Sequence, residues 1–576
     1  MGQALCEMKR RGTQKQAIVV AALLCGGFLL PILAGLWQTV LPAFGYLPAI
    51  GATNVNLDAW RNLFSTPGFG TSVGVTVFVG FSATFLALVA AIAFHAHPRV
   101  RSWTRFDSLF ATPLLASPHA AIAIGLAFLI APSGWLFRLV SPELSGLSVP
   151  PDVTIVNDAA GLALIFGLVV KETPFLILVI GAALNQLPHQ FYRASARSLG
   201  YGPGAAWVLV VFPQIYPQIR LAVYAVLAFS LSVVDVSVIL GPGTPPTIAV
   251  QTLRWYSAAD SEMLLTASAS AVFLTALVIG AILLWWLAER VIVFSSTWLL
   301  ACGARHHWLN FVAKAHSAFG SVMLLTGGLS LVGLLVWSMT WRWNFPFALP
   351  ESWSLAIWSR SMGDWSSAFM ATLWIAVSSS LASLVAAIAV LETLDRSGRK
   401  GMRALTIFIY LPLILPQAAF IFGLHVAFLQ SDLAGTMPAV AWSHMLFVFP
   451  YIMLALTDPW LALDPRFARA AASLGHTPKQ ILLHVKLPIM MRPVLTAFAI
   501  GFAVSVAQYL PTLVIGEGRI DTLTTEAVAL SSGGDRRVIG VFGTLQALLP
   551  LVVYIIARTV PAFVFAKKKG MAGARA

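Results

Sequence analysis

Residues 192–213 read YRASARSLGYGPGAAWVLVVFP and residues 467–488 read FARAAASLGHTPKQILLHVKLP. At a constant offset of 275, seven of the 22 positions are identical: Ala196/Ala471, Ser198/Ser473, Leu199/Leu474, Gly200/Gly475, Pro203/Pro478, Val210/Val485 and Pro213/Pro488. The same offset goes on to match Ser230 with Ser505, Gly241 with Gly516 and Gly243 with Gly518. The chain therefore reads as two copies of one unit, each carrying a polar helical insert in apolar surroundings.

Those surroundings set the class. Of 576 residues, 58% are hydrophobic and 10% charged, with a mean hydropathy of +0.84. A soluble domain carries about 25% charged residues. Apolar runs of roughly 20 residues, the length that crosses a bilayer, recur throughout. The expected fold is an all-α polytopic membrane protein. Cys6, Cys25 and Cys302 form no CxxC pair and point to neither a disulfide framework nor a zinc site. Lys9, Arg10, Arg11 and Lys15 precede an apolar run to Trp37 without a small-residue cleavage site, so a retained first span is expected rather than a signal peptide.

Twelve spans are read, near 17–37, 71–94, 107–131, 159–184, 215–240, 264–288, 319–338, 367–391, 403–430, 437–458, 489–514 and 538–560. With the N-terminus in the cytoplasm, segments on that side hold 25 Lys and Arg and segments on the other hold 8, leaving Lys171, Arg220 and Arg492 near or inside spans. Basic loops stay cytoplasmic. This orientation puts both termini and both inserts in the cytoplasm and accounts for the net charge of +14 without nucleic acid. LVAAIAF at 88–94 recurs as LVAAIAV at 384–390, and TPLLASPHAAIAIGL at 112–126 parallels LPLILPQAAFIFGL at 411–424. Each half, 1–300 and 301–576, thus supplies six spans. An even number makes the copies parallel, unlike the inverted repeats common in secondary transporters.

Each insert, at 189–205 and 464–480, reads as helix, glycine break, short helix, proline. Tyr192, Ser195, Ala196 and Leu199 share one helical face, as do Phe467, Ala470, Ala471 and Leu474 in the second copy. One aromatic, two small residues and a leucine make a face that another surface can approach closely, while Arg193, Arg197, Arg466 and Arg469 point elsewhere. Gly200 and Gly475 fall where a helix ends in a left-handed residue. Pro203 and Pro478 suit the first turn of a new helix, with Thr477 able to cap it. Pro213 and Pro488 then mark entry to the next span. An amphipathic connector lying on lipid headgroups would share some of these features, but two copies with one geometry favour a docking surface.

On these residues the chain resembles the permease subunits of binding-protein-dependent ABC importers, in whose cytoplasmic loop Glu-Ala-Ala precedes a glycine by six, five and four residues. Here those positions are Ala194, Ser195 and Ala196 before Gly200, and Arg469, Ala470 and Ala471 before Gly475. The small residues and the glycine match; the acidic residue is absent from both copies. The length resembles the fused double permeases of the thiamine and ferric-iron type. The resemblance implies that Tyr192, Ala196, Leu199, Gly200 and Pro203, with Phe467, Ala471, Leu474, Gly475 and Pro478, dock on an ATPase subunit. It also implies a homodimeric cytoplasmic ABC ATPase and a periplasmic solute-binding protein as partners.

No GxxxxGK[ST] phosphate loop occurs, so ATP and its Mg²⁺ are expected on a separate subunit, and this chain is expected to catalyse nothing and bind no cofactor. LSSGG at 530–534 has no companion phosphate loop, and His95/His97 and His306/His307 lack acidic or cysteine partners for a metal. Charges inside spans carry more information. Lys171 and Glu172 fall midway through span four and Asp235 towards the outer end of span five, and intramembrane ionisable residues are functional candidates by default. A structural Lys171–Asp235 pair, or a shorter span leaving Lys171 near an interface, are the alternatives. Pro174 predicts a helix break at this depth. The second half has Pro450 but no charges there, and Gln508 and Tyr509 near the counterpart of Asp235, so the pathway is expected to be chemically asymmetric. Arg220 and Arg492 are expected to snorkel to headgroups. The rival reading is an ion-gradient-driven secondary transporter coupled through Lys171, Glu172 and Asp235; a membrane-embedded enzyme lacks a clustered His/Asp/Glu constellation.

Overall fold

The structure is a computed structural model, and it describes residues 19–96 other than 21 and 23, then 113–301, 308–396 and 411–565. The first half runs α1 (Leu30–Ala43), α2 (Phe69–Ala96), α3 (His119–Ile130), α4 (Leu162–Asn185), α5 (His189–Ser198), α6 (Phe212–Ser232), α7 (Asp235–Leu240), α8 (Ile248–Tyr256) and α9 (Met263–Ala301). The second runs α10 (Trp308–Ser338), α11 (Met362–Arg396), α12 (Ala418–Gln430), α13 (Met437–Leu461), α14 (Pro465–Ser473), α15 (Met491–Val506), α16 (Leu510–Gly516), α17 (Leu523–Ser531) and α18 (Arg536–Phe565). The two series correspond helix by helix, and α7/α16 and α8/α17 begin at the 275-residue offset. One small hairpin, β1 (Thr340–Arg342) with β2 (Ser352–Trp353), follows α10.

Ten described helices are long and apolar enough to cross a membrane, and an eleventh span results if Pro478–Ile489 and Met491–Val506, bent by 80°, count as one. Ala418–Gln430 is a shorter apolar helix in the place of span nine. Helices are the economical solution here because each satisfies its own backbone groups where no water can. Buried hydroxyls follow suit: Thr76, Thr84 and Thr372 each donate to the carbonyl four residues back at 2.7 Å.

Several expected boundaries move. The first span lies at Gly26–Ala43 rather than 17–37, and parts of spans three and nine (107–112 and 403–410) lie outside the described residues. Span five does not run from 215 to 240: one helical rod covers Pro203–Ser232, the chain becomes extended at Val233, and α7 starts anew at Asp235. Its counterpart breaks in the same place, between α15 and α16. The break expected at Pro174 does not occur. α4 is continuous through it, as α13 is through Pro450; these are the two most buried of the described spans, and that packing offsets the missing N–H.

The halves exchange their first helices. α1 packs on α12 of the second half, and α10 packs on α2 and α3 of the first. The repeated glycines at 125 and 423 make this possible. A Cβ on Gly423 would collide with the carbonyl of Gly35, and one on Gly125 with that of Ser330. Small residues let apolar helices approach to backbone contact, which is what drives association where lipid is as apolar as leucine. The core of the first half accordingly includes Met323, Leu324 and Leu334 of α10, and that of the second includes Ile32 of α1.

Candidate functional site

In both inserts the first helix stops at a leucine, Leu199 or Leu474, and the next residue is left-handed: Gly200 has φ +82° and Gly475 φ +83°. A residue with a Cβ pays for that conformation, and glycine does not. Pro203 and Pro478 then open the following helix. In the second copy Thr477 caps it, and the Thr477 N–H donates to Gln480 Oε1 at 2.8 Å to complete a capping box; Gly202 stands at the cap of the first copy without a side chain.

Both short helices widen into a π-turn, Ala206–Val211 and Leu482–Lys486, immediately before Pro213 and Pro488. Proline donates no N–H and its ring crowds the carbonyl four residues back, and an i→i+5 turn relieves both. Pro213 falls in the first turn of α6, and Pro488 precedes α15 by three residues. The first copy continues straight into α6, whereas the second bends by 80° at Met490.

The expected docking face is divided by the fold. Ala196 is 3% exposed and Ala471 6%, each on a helix packed against the π-turn of its own insert. Their small size lets α5 and α14 lie close to that turn, so they position the insert rather than face a partner. Tyr192 is half-buried against the core of the first half. Leu199 and Leu474, 64% and 79% exposed, project outward together with Phe467, and Pro203 and Pro478 are exposed beside them.

Each insert is tied to the end of the span that carries the LVAAIA repeat, by different chemistry. In the first copy Arg193 does not point away. Its guanidinium lies 4.8 Å from the Trp207 ring and donates to the His95 carbonyl at 3.0 Å, while Trp207 Nε1 donates to the Ile92 carbonyl at 3.0 Å. Burial holds the Arg193 pKa below its ordinary value. In the second copy Lys486 Nζ donates to Glu392 Oε2 and Asp395 Oδ2, both at 2.6 Å. Arg396 adds a bond to Glu392 at 2.8 Å and one to the Pro478 carbonyl at 3.3 Å.

A second polar group lies between the halves. Lys171 is not paired with Asp235. It donates to the carbonyls of Leu114, Ser117 and Leu115 at 2.8, 2.6 and 3.2 Å, capping the turn that precedes α3. Its charge is absorbed by carbonyl dipoles that would otherwise lack partners in an apolar interior. Glu172 instead meets His119, the first residue of α3, at 3.1 Å. Asp235 is buried at the start of α7. From the second half, Tyr509 packs against the core of the first. Gln508 accepts from Gln417 at 3.2 Å, and Gln417 stands after Pro416 as His119 stands after Pro118. The corresponding residues His119 and Gln417 thus take different partners, the first a carboxylate on α4 and the second an amide at the break between α15 and α16.

Three arrangements escaped sequence reasoning. Arg220 has an ion partner that was not expected: its Nε lies 2.9 Å from Glu289 Oε2, and Glu289 also accepts from Tyr216 at 2.5 Å. Glu289 falls one residue beyond the expected end of span six, and that proximity was the available signal. Tyr256 of the first half meets His425 of the second at 2.5 Å, and His425 meets Glu517 at 2.9 Å, on the face opposite the inserts. The Lys486–Glu392 tie was visible only as four charged residues near two span ends.

No family model matches the chain. It is 30% identical over 553 residues to the inner membrane ABC transporter permease protein YnjC of Escherichia coli, an alignment covering 93% of this chain and 98% of that protein. The putative 2-aminoethylphosphonate transport system permease protein PhnV of Salmonella typhimurium is 26% identical over 210 residues, 36% of this chain and 78% of that one. The molybdenum transport system permease protein ModB of Haemophilus influenzae is 28% identical over 160 residues, 26% of this chain and 70% of that one.

Proposed function

The chain belongs to the inner-membrane permease proteins of ABC transporters, and on that premise we propose that its two inserts are the coupling elements of an ATP-driven uptake system. It is a multi-pass transport subunit, not an enzyme. In this reading residues 1–300 and 301–576 are two permease repeats whose facing surfaces form the translocation pathway. Residues 189–205 and 464–480 dock on a cytoplasmic ATPase, a homodimer that holds the ATP and Mg²⁺. A periplasmic solute-binding protein delivers the solute at the opposite face, and both termini are cytoplasmic.

The observation that carries this reading is the repetition of one rigid shape. Two inserts share a helix, a left-handed glycine, a proline-started helix and a π-turn, and both are clamped to the end of a long span. A clamped peg transmits a rigid-body motion of a partner to the spans it joins, where a loose loop would absorb it. Glu172, His119 and Asp235, with Gln508 and Tyr509 from the other half, are the pathway candidates; Lys171 is assigned to holding the turn before α3. Two of the three relatives named above carry different solutes in their names and the third carries none, and the fold alone does not choose among solute classes.

Gly475→Val tests the reading. No neighbouring atom lies within 4 Å of a Cβ built at this position, so the change acts on the backbone and not on packing. Uptake and co-purification of the ATPase should both fall at least roughly tenfold, as 1–2 kcal/mol of left-handed strain is enough to unseat the peg. The level of chain in the membrane should stay the same. Wild-type uptake in this variant refutes coupling through the insert.

A further inference from the structure

The open surface of both inserts carries one sign of charge. From Gln186 to Pro213 the chain has no Asp or Glu, and with Arg193 buried on Trp207 the exposed arginine is Arg197. From Pro459 to Pro488 the one acid is Asp464, whose carboxylate accepts from the Arg466 N–H at 2.8 Å as the cap of α14. Arg466, Arg469 and Lys479 are exposed, and among the described residues no hydrogen bond or ion pair is recorded for the side chains of Arg197, Arg469 or Lys479. At the 275-residue offset Arg197 corresponds to Ala472 and Arg469 to Ala194. These positions are three residues apart, one turn along the same side of the helix. Each insert therefore presents an arginine within a turn or two of an exposed leucine, Leu199 or Leu474.

We propose that each insert seats its leucine and arginine in a carboxylate-lined groove of the ATPase subunit, so that both contacts of the transporter have the same electrostatic sign. The proposal rests on the coupling reading above. Two identical grooves of a homodimer can accept both inserts because the arginine shifts by one turn without leaving its side. Opposite charges across such a contact steer association and fix its register, and make it dependent on ionic strength. Lipid headgroups would attract the arginines equally well. They offer no reason for the leucine to stand at the same place before a left-handed glycine in both copies.

The test uses the full chain co-expressed with its cognate ATPase, with co-purified ATPase measured at low and raised salt in nanodiscs of zwitterionic and of anionic lipid. Arg197→Glu with Arg469→Glu should lower the retained ATPase roughly tenfold or more in both lipids, because like charges across an interface oppose binding. Arg469→Lys should retain it, and raised salt should weaken the wild-type complex. Wild-type retention by the double glutamate variant, with Gly475→Val still defective, overturns the charge proposal and leaves coupling intact. If Gly475→Val also retains the ATPase, the coupling reading itself fails. A loss confined to anionic nanodiscs assigns the arginines to headgroups and overturns the proposal.

Discussion

The two inserts have the same backbone and are held down by different chemistry. The first is tied by a guanidinium on an indole ring and by two backbone carbonyls of α2, Ile92 and His95. The second is tied by a buried ammonium between two carboxylates at the end of α11. The difference matters because the two ties fail differently. A cation–π contact loses about 0.5–2 kcal/mol when the cation is removed. A buried ion pair that loses one partner costs about 3–5 kcal/mol, because a desolvated charge stays behind. What the duplication preserved is the place where the peg is clamped, not the clamp.

That contrast can be broken experimentally, beginning with its strongest point. Lys486→Met leaves buried Glu392 with Arg396 as its remaining cation and should cost about 3 kcal/mol locally, the lower end for a broken buried pair. It should lower the thermal unfolding temperature of the purified chain and reduce uptake. Combining it with Glu392→Met should recover part of the loss, since no buried carboxylate then remains; a double variant as damaged as the single one would mean the pair is not the clamp. Next comes Lys171→Met, which strips three carbonyls of their donor. About 1–3 kcal/mol is expected for leaving buried acceptors unpaired, read as lost stability with unchanged solute preference. A changed solute preference at unchanged stability would return Lys171 to the pathway. Arg193→Met should be milder, about 0.5–2 kcal/mol, and its effect on uptake should be smaller than that of Lys486→Met. The smallest stability effect belongs to Leu199→Ala and Leu474→Ala. Both side chains are exposed, so unfolding should shift by less than about 0.5 kcal/mol while ATPase co-purification falls. If unfolding moves and association does not, the leucines are not docking residues.

The mutations also separate what was legible early from what was not. The left-handed glycines, the Thr477 cap and the proline-started second helix followed from residue types at fixed spacing, because caps and turns are decided within a few residues. The inward orientation of Ala196 and Ala471 was missed. A helical wheel gives the face but not what lies against it, and here the π-turn of the insert itself packs against the helix. The break at Pro174 was wrongly expected for a related reason. Proline weakens a helix locally, but the packing around α4 decides whether it breaks.

By itself the sequence determined the all-helical membrane class, the duplication, the shape of the inserts and the identity of the polar residues buried in the spans. Each of these rests on composition or on periodicity within one segment. Only the tertiary structure decided which partners those residues take. Lys171 bonds carbonyls 54 to 57 residues away, Lys486 meets a carboxylate 94 residues away, and α1 and α10 each pack in the opposite half. The reason is physical. A helix that is apolar all round has no preferred side, so its neighbours are chosen by close packing at small residues such as Gly125 and Gly423 and by the need of each buried charge for a partner.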